Sequence, residues 1–388
     1  VKIAFDSWVF ARRFANHGTQ VYARNLLAQF QKMALNGEGF EVFSFAHPDE
    51  RDLESFPKPG DGLQMVRTRS AGLDRWWRIG AGSMAAAKAG ADVMFCPTSL
   101  TLAVSRVPAV VTIHDVTPML TPSHTARVTF MLRTLVRTSA KLAKSIITVS
   151  EWSKKDLVET CGIPPEKITV VYNGYDRDVF NDAPVDPRTL SAVKQKFELL
   201  RPYVFHHSVI QPRKNLVRLI EAHRRLLEKQ PSQELDLVLA GPLGWKYEEV
   251  VEAARNNRTA RGRTLLLGAV TDADLATLIK GASLVVIPSL YEGFCLPMVE
   301  AMACGAPVIA SATSCLPEIS GGVLWYFDPT SPDEMAEKML AVLQNEEIQG
   351  RLGRAGIERA RLFSWEKCAS ATMDVIRSVG EQRRQPGG

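Results

Sequence analysis

Short, strongly apolar runs alternate with helical stretches along almost the whole chain, and the alternation happens twice. In the first half VKIAFD, FEVFSF, ADVMFCP, AVVTIHD, SIITVS and ITVVYNG read as strands, each closing on a polar or Gly/Pro turn, while TQVYARNLLAQFQKMAL has helical spacing. Such runs belong to a parallel sheet covered by helices on its faces. The pattern breaks over residues 181–202, NDAPVDPRTLSAVKQKFELLRP, where three prolines and several charges read as a linker and a short helix. A second set follows, with PYVFHHSV, LDLVLAG, TLLLGAV, LVVIPS and PVIAS as strands and NLVRLIEAHRRLLEKQ, DADLATLIKGA and LPMVEAMAC as helices. The fold class is therefore α/β, with two doubly wound Rossmann-like domains facing across a cleft. Ligands of such sheets sit beyond the carboxyl ends of the strands. The expected boundaries are 1–190 and 191–364, with a last helical stretch, 365–388, crossing back to the first domain and ending in a frayed RRQPGG tail.

Several function classes are disfavoured early. The 388 residues, 46% of them hydrophobic, suffice for two or three domain cores. No apolar run approaches the ~20 residues of a membrane span. The opening VKIAFDSWVF reads as a strand and lacks the long apolar stretch of a signal peptide. Six scattered cysteines, with no C-x2-C pair, read as reduced thiols of a cytoplasmic protein and argue against a zinc site. The net charge of +5 resides in residues 1–200, which hold 25 Lys+Arg and 20 Asp+Glu. That excess is too small for a nucleic-acid binder, and it is compatible with an acidic ligand or an anionic membrane surface.

The chemistry concentrates in YEGFCLPMVEAMACGAPVIAS, residues 291–311, where Glu292 and Glu300 stand eight positions apart in an otherwise apolar setting. The stretch reads strand, loop, helix, with Pro297 in the first turn, where its missing N–H costs nothing. A helix N-terminus presents unpaired N–H groups and a positive dipole end, which together form an anion site. Gly293 permits close backbone approach. A diphosphate at the helix tip, flanked by two carboxylates accepting sugar hydroxyls, is a coherent use of these residues. Arg213 and Lys214 in PRKN suit the charge that develops on a leaving diphosphate. His114 ends the TIHD strand, where a histidine serves either structure or function. Asp115 fits a turn-fixing role, and Ser150 and Ser153 fit helix capping.

The string E-G-F-x-L-P-x-x-E followed by AMACGxPVIAS resembles the Glu-x7-Glu motif of retaining glycosyltransferases of family 4, which have the GT-B fold. The resemblance extends over nearly the whole chain through VTIHDVTP, ITVSEWSKKDL, KITVVYNGYD, PRKNLVRLIEAH, LVLAGP and the closing SWEKCA. It implies a nucleotide-sugar donor, GDP- or UDP-linked, in the second domain and an acceptor hydroxyl in the first. Glu300 would hold the ribose, and Glu292 would sit near the donor sugar. The amides of Phe294, Cys295 and Leu296 would meet sugar and diphosphate, and His114 would contact the donor sugar. Arg213, Lys214 and the helix tip would stand in for a catalytic metal, so no cofactor is expected. Gly18 would open a helix whose tip faces the phosphates, with Thr19, Gln20 and Asn173 on the acceptor side. Gly241 and Val270 lie at strand ends where the base would rest.

One departure is Ser208, close to where the family usually has a glycine; its hydroxyl could add a phosphate contact. PRKNL and the first-domain strings resemble the bacterial mannosyltransferase-like branch, which points to mannose; a lipid-linked or surface oligosaccharide is the expected acceptor, with a soluble glycan or small molecule as the alternative. A GT-B epimerase or phosphorylase and a non-catalytic two-lobed sugar-binding protein are the alternatives. An oxidoreductase is weaker, because no strand is followed by G-x-G-x-x-G. Arg133, Arg137, Lys141 and Lys144 recur at helical steps and read equally as a solvated face or as a docking face for anionic lipid at the cytoplasmic membrane. Trp76 and Trp77 could add an apolar anchor to it.

Overall fold

The computed structural model describes residues 1–10, 18–36, 41–46, 63–67, 82–98, 107–117 and 126–384; Trp76 and Trp77 lie outside these ranges. Two compact units divide the chain, one made of Val1–Gly174 with Ser364–Gly388, the other of Tyr175–Phe363.

The first unit is built on seven strands, β1 (Lys2–Asp6), β2 (Glu41–Ala46), β3 (Leu63–Arg67), β4 (Val93–Cys96), β5 (Ala109–Thr112), β6 (Ser145–Thr148) and β7 (Ile168–Val170). They pair in parallel in the order β3-β2-β1-β4-β5-β6-β7. Strands β4 and β5 are buried at every position, as a sheet covered on both faces requires. The α-helices described in the N-terminal part of this unit are α1 (Gly18–Leu35), α2 (Gly82–Lys88), α3 (Ala126–Leu142) and α4 (Glu151–Cys161).

The second unit carries α5 (Pro187–Lys196), α6 (Leu216–Lys229), α7 (Glu248–Asn256), α8 (Asp272–Lys280), α9 (Leu296–Ala303), α10 (Leu316–Ser320), α11 (Pro332–Leu343) and α12 (Glu346–Ala360). Its sheet comprises β8 (Tyr203–His207), β9 (Asp236–Ala240), β10 (Thr264–Gly268), β11 (Leu284–Ile287), β12 (Val308–Ser311) and β13 (Trp325–Phe327). These are also parallel, in the order β10-β9-β8-β11-β12-β13. Helix α6 shows how the sequence codes the packing. Leu216, Leu219, Ile220, His223, Leu226 and Leu227 are buried at steps of three and four, so one stripe faces the sheet. Each fully buried leucine there contributes about 1.5–3 kcal/mol.

The last helix, α13 (Trp365–Arg384), belongs to the first unit, where it packs on α1 and against β4, β5 and β6. Trp365, Cys368, Ala369, Met373 and Ile376 are among the residues it buries.

The first division falls after Gly174 instead of at residue 190. The reason is where the intervening residues make their bonds. Arg177 donates to the carbonyls of Arg361 and Phe363 at 2.9 and 2.8 Å, and Lys280 donates to Asn181 and to the carbonyl of Ala183 at 3.2 and 2.9 Å. Residues read as a linker are thus tied into the second unit. The basic row also shortens, since α3 stops at Leu142 and Lys144 lies in the turn before β6. Among the described residues no helix is long and apolar enough to cross a membrane.

Candidate active site

A doubly wound sheet opens a crevice where its strand order reverses. In the second unit that point lies between β8 and β11, and the residues leaving both strands meet there. After β8 the chain runs through a short 3-10 turn, Pro212–Lys214, and Asn215 takes a left-handed conformation with φ 60° before α6 starts. Its amide donates to the carbonyls of Pro288 and Pro329 at 3.0 and 2.8 Å, which fastens this turn to the loop after β11. Backbone bonding completes the frame, with the Leu290 amide donating to the Arg213 carbonyl at 2.9 Å.

Glu292 sits inside that frame at 4% exposure. Arg213 Nη1 donates to its Oε2 and Lys214 Nζ to its Oε1, both at 2.6 Å. Arg213 Nη1 also donates to the Tyr291 carbonyl at 2.6 Å, and the Glu292 amide donates to Ser314 Oγ at 3.0 Å. Burial alone would raise the Glu292 pKa, but the two cations outweigh it and hold the carboxyl at about 2. Two cations against one carboxylate leave the cluster with one positive charge. Lys214 spends one of its three N–H groups on Glu292, leaving two for another anion. Glu292 therefore acts first as the counter-ion that fixes Arg213 and Lys214.

This pairing has a measurable pH signature. A carboxyl whose folded pKa is depressed stabilises the fold above its unfolded pKa and loses that contribution as pH falls toward the folded value. The stability gap between the protein and its Glu292→Gln variant is expected to be full above about pH 4.5 and to close as pH falls toward about 2. Urea unfolding of both across that range checks it, and a gap independent of pH would show that Glu292 is not held as a carboxylate.

Glu300 lies in α9 and reaches the end of β8, where its Oε2 accepts from His207 Nε2 at 2.9 Å. Its Oε1 has no protein partner among the described residues, and its side chain keeps 16% exposure. His207 is held flat against Phe205, ring centroids 5.8 Å apart. Next to it, His206 Nδ1 meets the Val286 carbonyl at 2.8 Å and must donate there, so its Nε2 is the acceptor facing Ser208 Oγ at 2.8 Å. Burial lowers the His206 pKa to about 3 and keeps the ring neutral. The Ser208 hydroxyl proton is consequently given to His206, which leaves that hydroxyl with only acceptor capacity toward a ligand.

Gly241, after β9, has φ 135°, and a Cβ there would stand 1.9 Å from the Ser208 carbonyl oxygen, so only glycine lets these two strand ends approach. Val270 follows β10, half-buried, just before the Thr271 cap of α8. Helix α9 begins after Cys295 in a left-handed turn, φ 68°, with Pro297 in its first turn. This places Gly293, Phe294, Cys295 and Leu296 at its N-terminus. The Cys295 thiol is pushed up to about 12, chiefly by burial and further by Glu292, so it is not a nucleophile.

In the first unit, His114 lies two residues beyond β5. Its Nε2 donates to the Pro97 carbonyl at 3.0 Å, and the ring edge meets Tyr22 with centroids 4.7 Å apart. Burial holds its pKa below the ordinary value, so the ring is neutral and Nδ1 is a lone-pair acceptor. Asp115 closes the following turn by accepting from the Thr117 amide at 2.9 Å. Ser150 caps α4, and Ser153 Oγ donates to the His114 carbonyl at 3.2 Å, an anchor that the capping pattern alone did not reveal.

Gln20, expected at the acceptor side, is instead 5% exposed with its amide donating to the Val9 carbonyl at 3.1 Å. It fastens the first turn of α1 and is not open to a ligand. Gly18 and Thr19 open that helix, Gly18 exposed. Asn173, beyond β7, is buried, and its Oδ1 has no partner among the described residues. The contacts described thus bring Arg213, Lys214 and Glu292 together directly, join Glu300 to the same strand end through His207, and set Gly241 against Ser208. Thr19 and Asn173 are tied to neither cluster.

Two covered parallel sheets with a cationic pair at a switch point describe an α/β enzyme that handles an anionic ligand, and comparison with known proteins narrows this. Residues 17–179 match the pattern described as Glycosyltransferase Family 4, and residues 189–359 match Glycosyl transferases group 1. An O-antigen chain mannosyltransferase B of Escherichia coli is 32% identical over 272 residues, covering 69% of this chain and 70% of that protein. The serotype-specific mannosyltransferase WbdA of the same species is 28% identical over 235 residues, 60% of this chain but only 28% of its own length. Among solved structures, sucrose-phosphate synthase from Thermosynechococcus elongatus superposes with a TM-score of 0.76 at 20% identity over 98% of this chain and 99% of that one. The Anabaena protein Alr3699/HepE, solved with UDP and glucose, gives 0.73 at 20% identity over 97% and 99%. The chain belongs to the group 1, family 4 glycosyltransferases, enzymes of the GT-B fold. A non-catalytic sugar-binding protein is therefore set aside.

Proposed function

We propose that the chain moves a hexose, mannose in the first instance, with retention of configuration from a nucleotide-diphospho-sugar to a hydroxyl of an oligosaccharide, lipid-linked or of a surface polysaccharide. The observation that carries this is the Arg213–Lys214–Glu292 cluster at the β8/β11 switch point, beside a carboxylate, Glu300, with one oxygen open. The relatives named mannosyltransferases support the sugar, and the one named for the O-antigen chain supports the acceptor class.

In this reading the donor binds the second unit. Arg213, Lys214 and the α9 N-terminus take the diphosphate, Glu300 Oε1 accepts a ribose hydroxyl, and the base rests near Gly241 and Val270. His114 Nδ1 accepts a sugar hydroxyl, and the acceptor belongs to the first unit. The bond from the anomeric carbon to the phosphate oxygen breaks, and the electron pair leaves with the nucleoside diphosphate. The acceptor oxygen bonds to the same face of that carbon, and its proton passes to the departing phosphate. The charge that develops falls on Arg213 and Lys214, the kind of electrostatic stabilisation worth about 10²–10³-fold per donor group. We assign no catalytic metal, since these two cations occupy its role. Six free thiols support a reducing compartment, the cytoplasm, for the reaction.

A thermal-shift screen of GDP- and UDP-sugars, followed by NMR of the product's anomeric configuration with and without EDTA, tests this. GDP-mannose is expected to raise the melting temperature most and to give an α-product in EDTA. An inverted product, or turnover restored only by a divalent ion, overturns the mechanism. A preference for a UDP-hexose overturns the sugar.

A further inference from the structure

Residues 116–150 contain five cations and not one acid, so the other 353 residues carry 42 of each sign and the whole net charge of +5 lies in this stretch. Most of it is α3 and the turn that follows. The described side chains of α3 sort cleanly. Val136, Ser139 and Ala140 are buried toward the sheet, while Phe130, Thr134, Arg137 and Lys141 lie on the exposed side. Phe130 is 73% exposed, an unusual place for a phenylalanine, and Leu142 at the helix end is 46% exposed. Helical steps of three and four put Arg133, Arg137 and Lys141 around Phe130 on one face.

Phe130, Arg133, Thr134 and Arg137 line a groove of about 300 Å³ closed on its far side by Thr160 of α4. Arg137 is braced there, donating to the Thr160 carbonyl at 3.2 Å. At the other end Lys167 donates to the Lys141 carbonyl at 2.9 Å, bringing another cation beside Lys141 and Lys144.

We infer that this face of α3 docks on an anionic lipid bilayer, with the cations meeting headgroup phosphates and Phe130 entering the headgroup–acyl boundary. A row of cations alone is a solvated surface, and an apolar side chain alone is a minor blemish. Together on one helix face, with no acid on that helix, they are the two halves of an interfacial membrane contact. A nucleic acid or acidic protein would use the charge but gain little from a protruding phenylalanine and leucine. The inference stands apart from the donor site, since α3 contributes no residue to it.

Co-sedimentation with vesicles tests it, using phosphatidylcholine alone and an equal mixture with phosphatidylglycerol. The protein is expected to sediment with the mixed vesicles at about 0.1 M salt, to be largely released near 1 M as the Debye length falls to about 3 Å, and to ignore the neutral vesicles. Each cation near an anionic surface is worth about fivefold in partitioning, so Arg133→Glu with Lys141→Glu lowers binding at least about 25-fold. Phe130→Ser lowers it about tenfold. Thr134→Leu, which enlarges the apolar centre of an exposed face, raises it, a gain that misfolding would not selectively produce. Unchanged melting temperatures confirm the fold of each variant. Equal binding to neutral vesicles, no binding to the anionic ones at low salt, or wild-type binding by the charge-reversed variant overturns the inference. So does retention on heparin without vesicle binding.

Discussion

Lys214→Met is expected to lower kcat at saturating donor by about 10²–10³-fold. The residue is 7% exposed, between the second unit's two central strand ends, with one N–H committed to Glu292 and two available. In the proposed reaction a phosphate oxygen that gains charge as its bond to the sugar breaks would draw on those two. The change has a second effect that must be separated from the first. It leaves Glu292 buried with Arg213 alone, and breaking one side of a buried ion pair costs about 3–5 kcal/mol. Chemical denaturation will therefore show Lys214→Met to be less stable. Arg213 and Glu292 still balance in charge there, with one carboxylate oxygen stripped of its donor, so adding Glu292→Gln is expected to cost less stability in the Lys214→Met background than it does alone, while kcat stays low. Recovery of stability and turnover together would mean that Lys214 serves only the fold, and near-normal turnover in the single variant would remove it from the mechanism altogether.

Glu300→Ala is expected to weaken nucleoside diphosphate binding and donor kcat/KM by about 10–100-fold, the worth of hydrogen bonds to a charged group. The carboxylate is anchored by one oxygen on His207 and offers the other. His207→Phe keeps an aromatic ring stacked on Phe205 but lets Glu300 swing. It should raise donor KM several-fold with a smaller change in kcat, which marks a positioning residue. Calorimetric titration with GDP and UDP and steady-state kinetics with the donor read both variants. Wild-type affinity in Glu300→Ala would show that the open oxygen holds no ribose.

The fold was largely legible because parallel strands covered on both faces leave a plain signal. VMFC and LVVI are apolar throughout, AVVT is apolar but for its closing threonine, and all three are buried throughout. What escaped was weaker for physical reasons. Strand β3 reads LQMVR, with two polar residues in five, and β13 is three residues long at a sheet edge. The two glutamates were conspicuous as acids in apolar surroundings, but their partners were not. Glu292 meets Lys214 across 78 residues of sequence, and Glu300 meets His207 across 93. No local pattern reports such pairings. Side-chain direction was also hidden. The Ser208 hydroxyl is turned onto His206, and the Gln20 amide is buried on Val9. Spacing places a residue at a strand or helix end without saying whether its polar atoms are still available.

The way α13 completes the first unit has a bearing on how the protein is made. The second unit is one unbroken stretch, Tyr175–Phe363, whereas the first needs residues from both sides of it. A nascent chain leaving the ribosome can finish the second unit while the earlier one still lacks Trp365, Met373 and Ile376 from its interior. Until those residues emerge, apolar surface on α1 and its sheet stays open to chaperones and to neighbouring chains, so translation that stalls before residue 365 releases a product prone to aggregate.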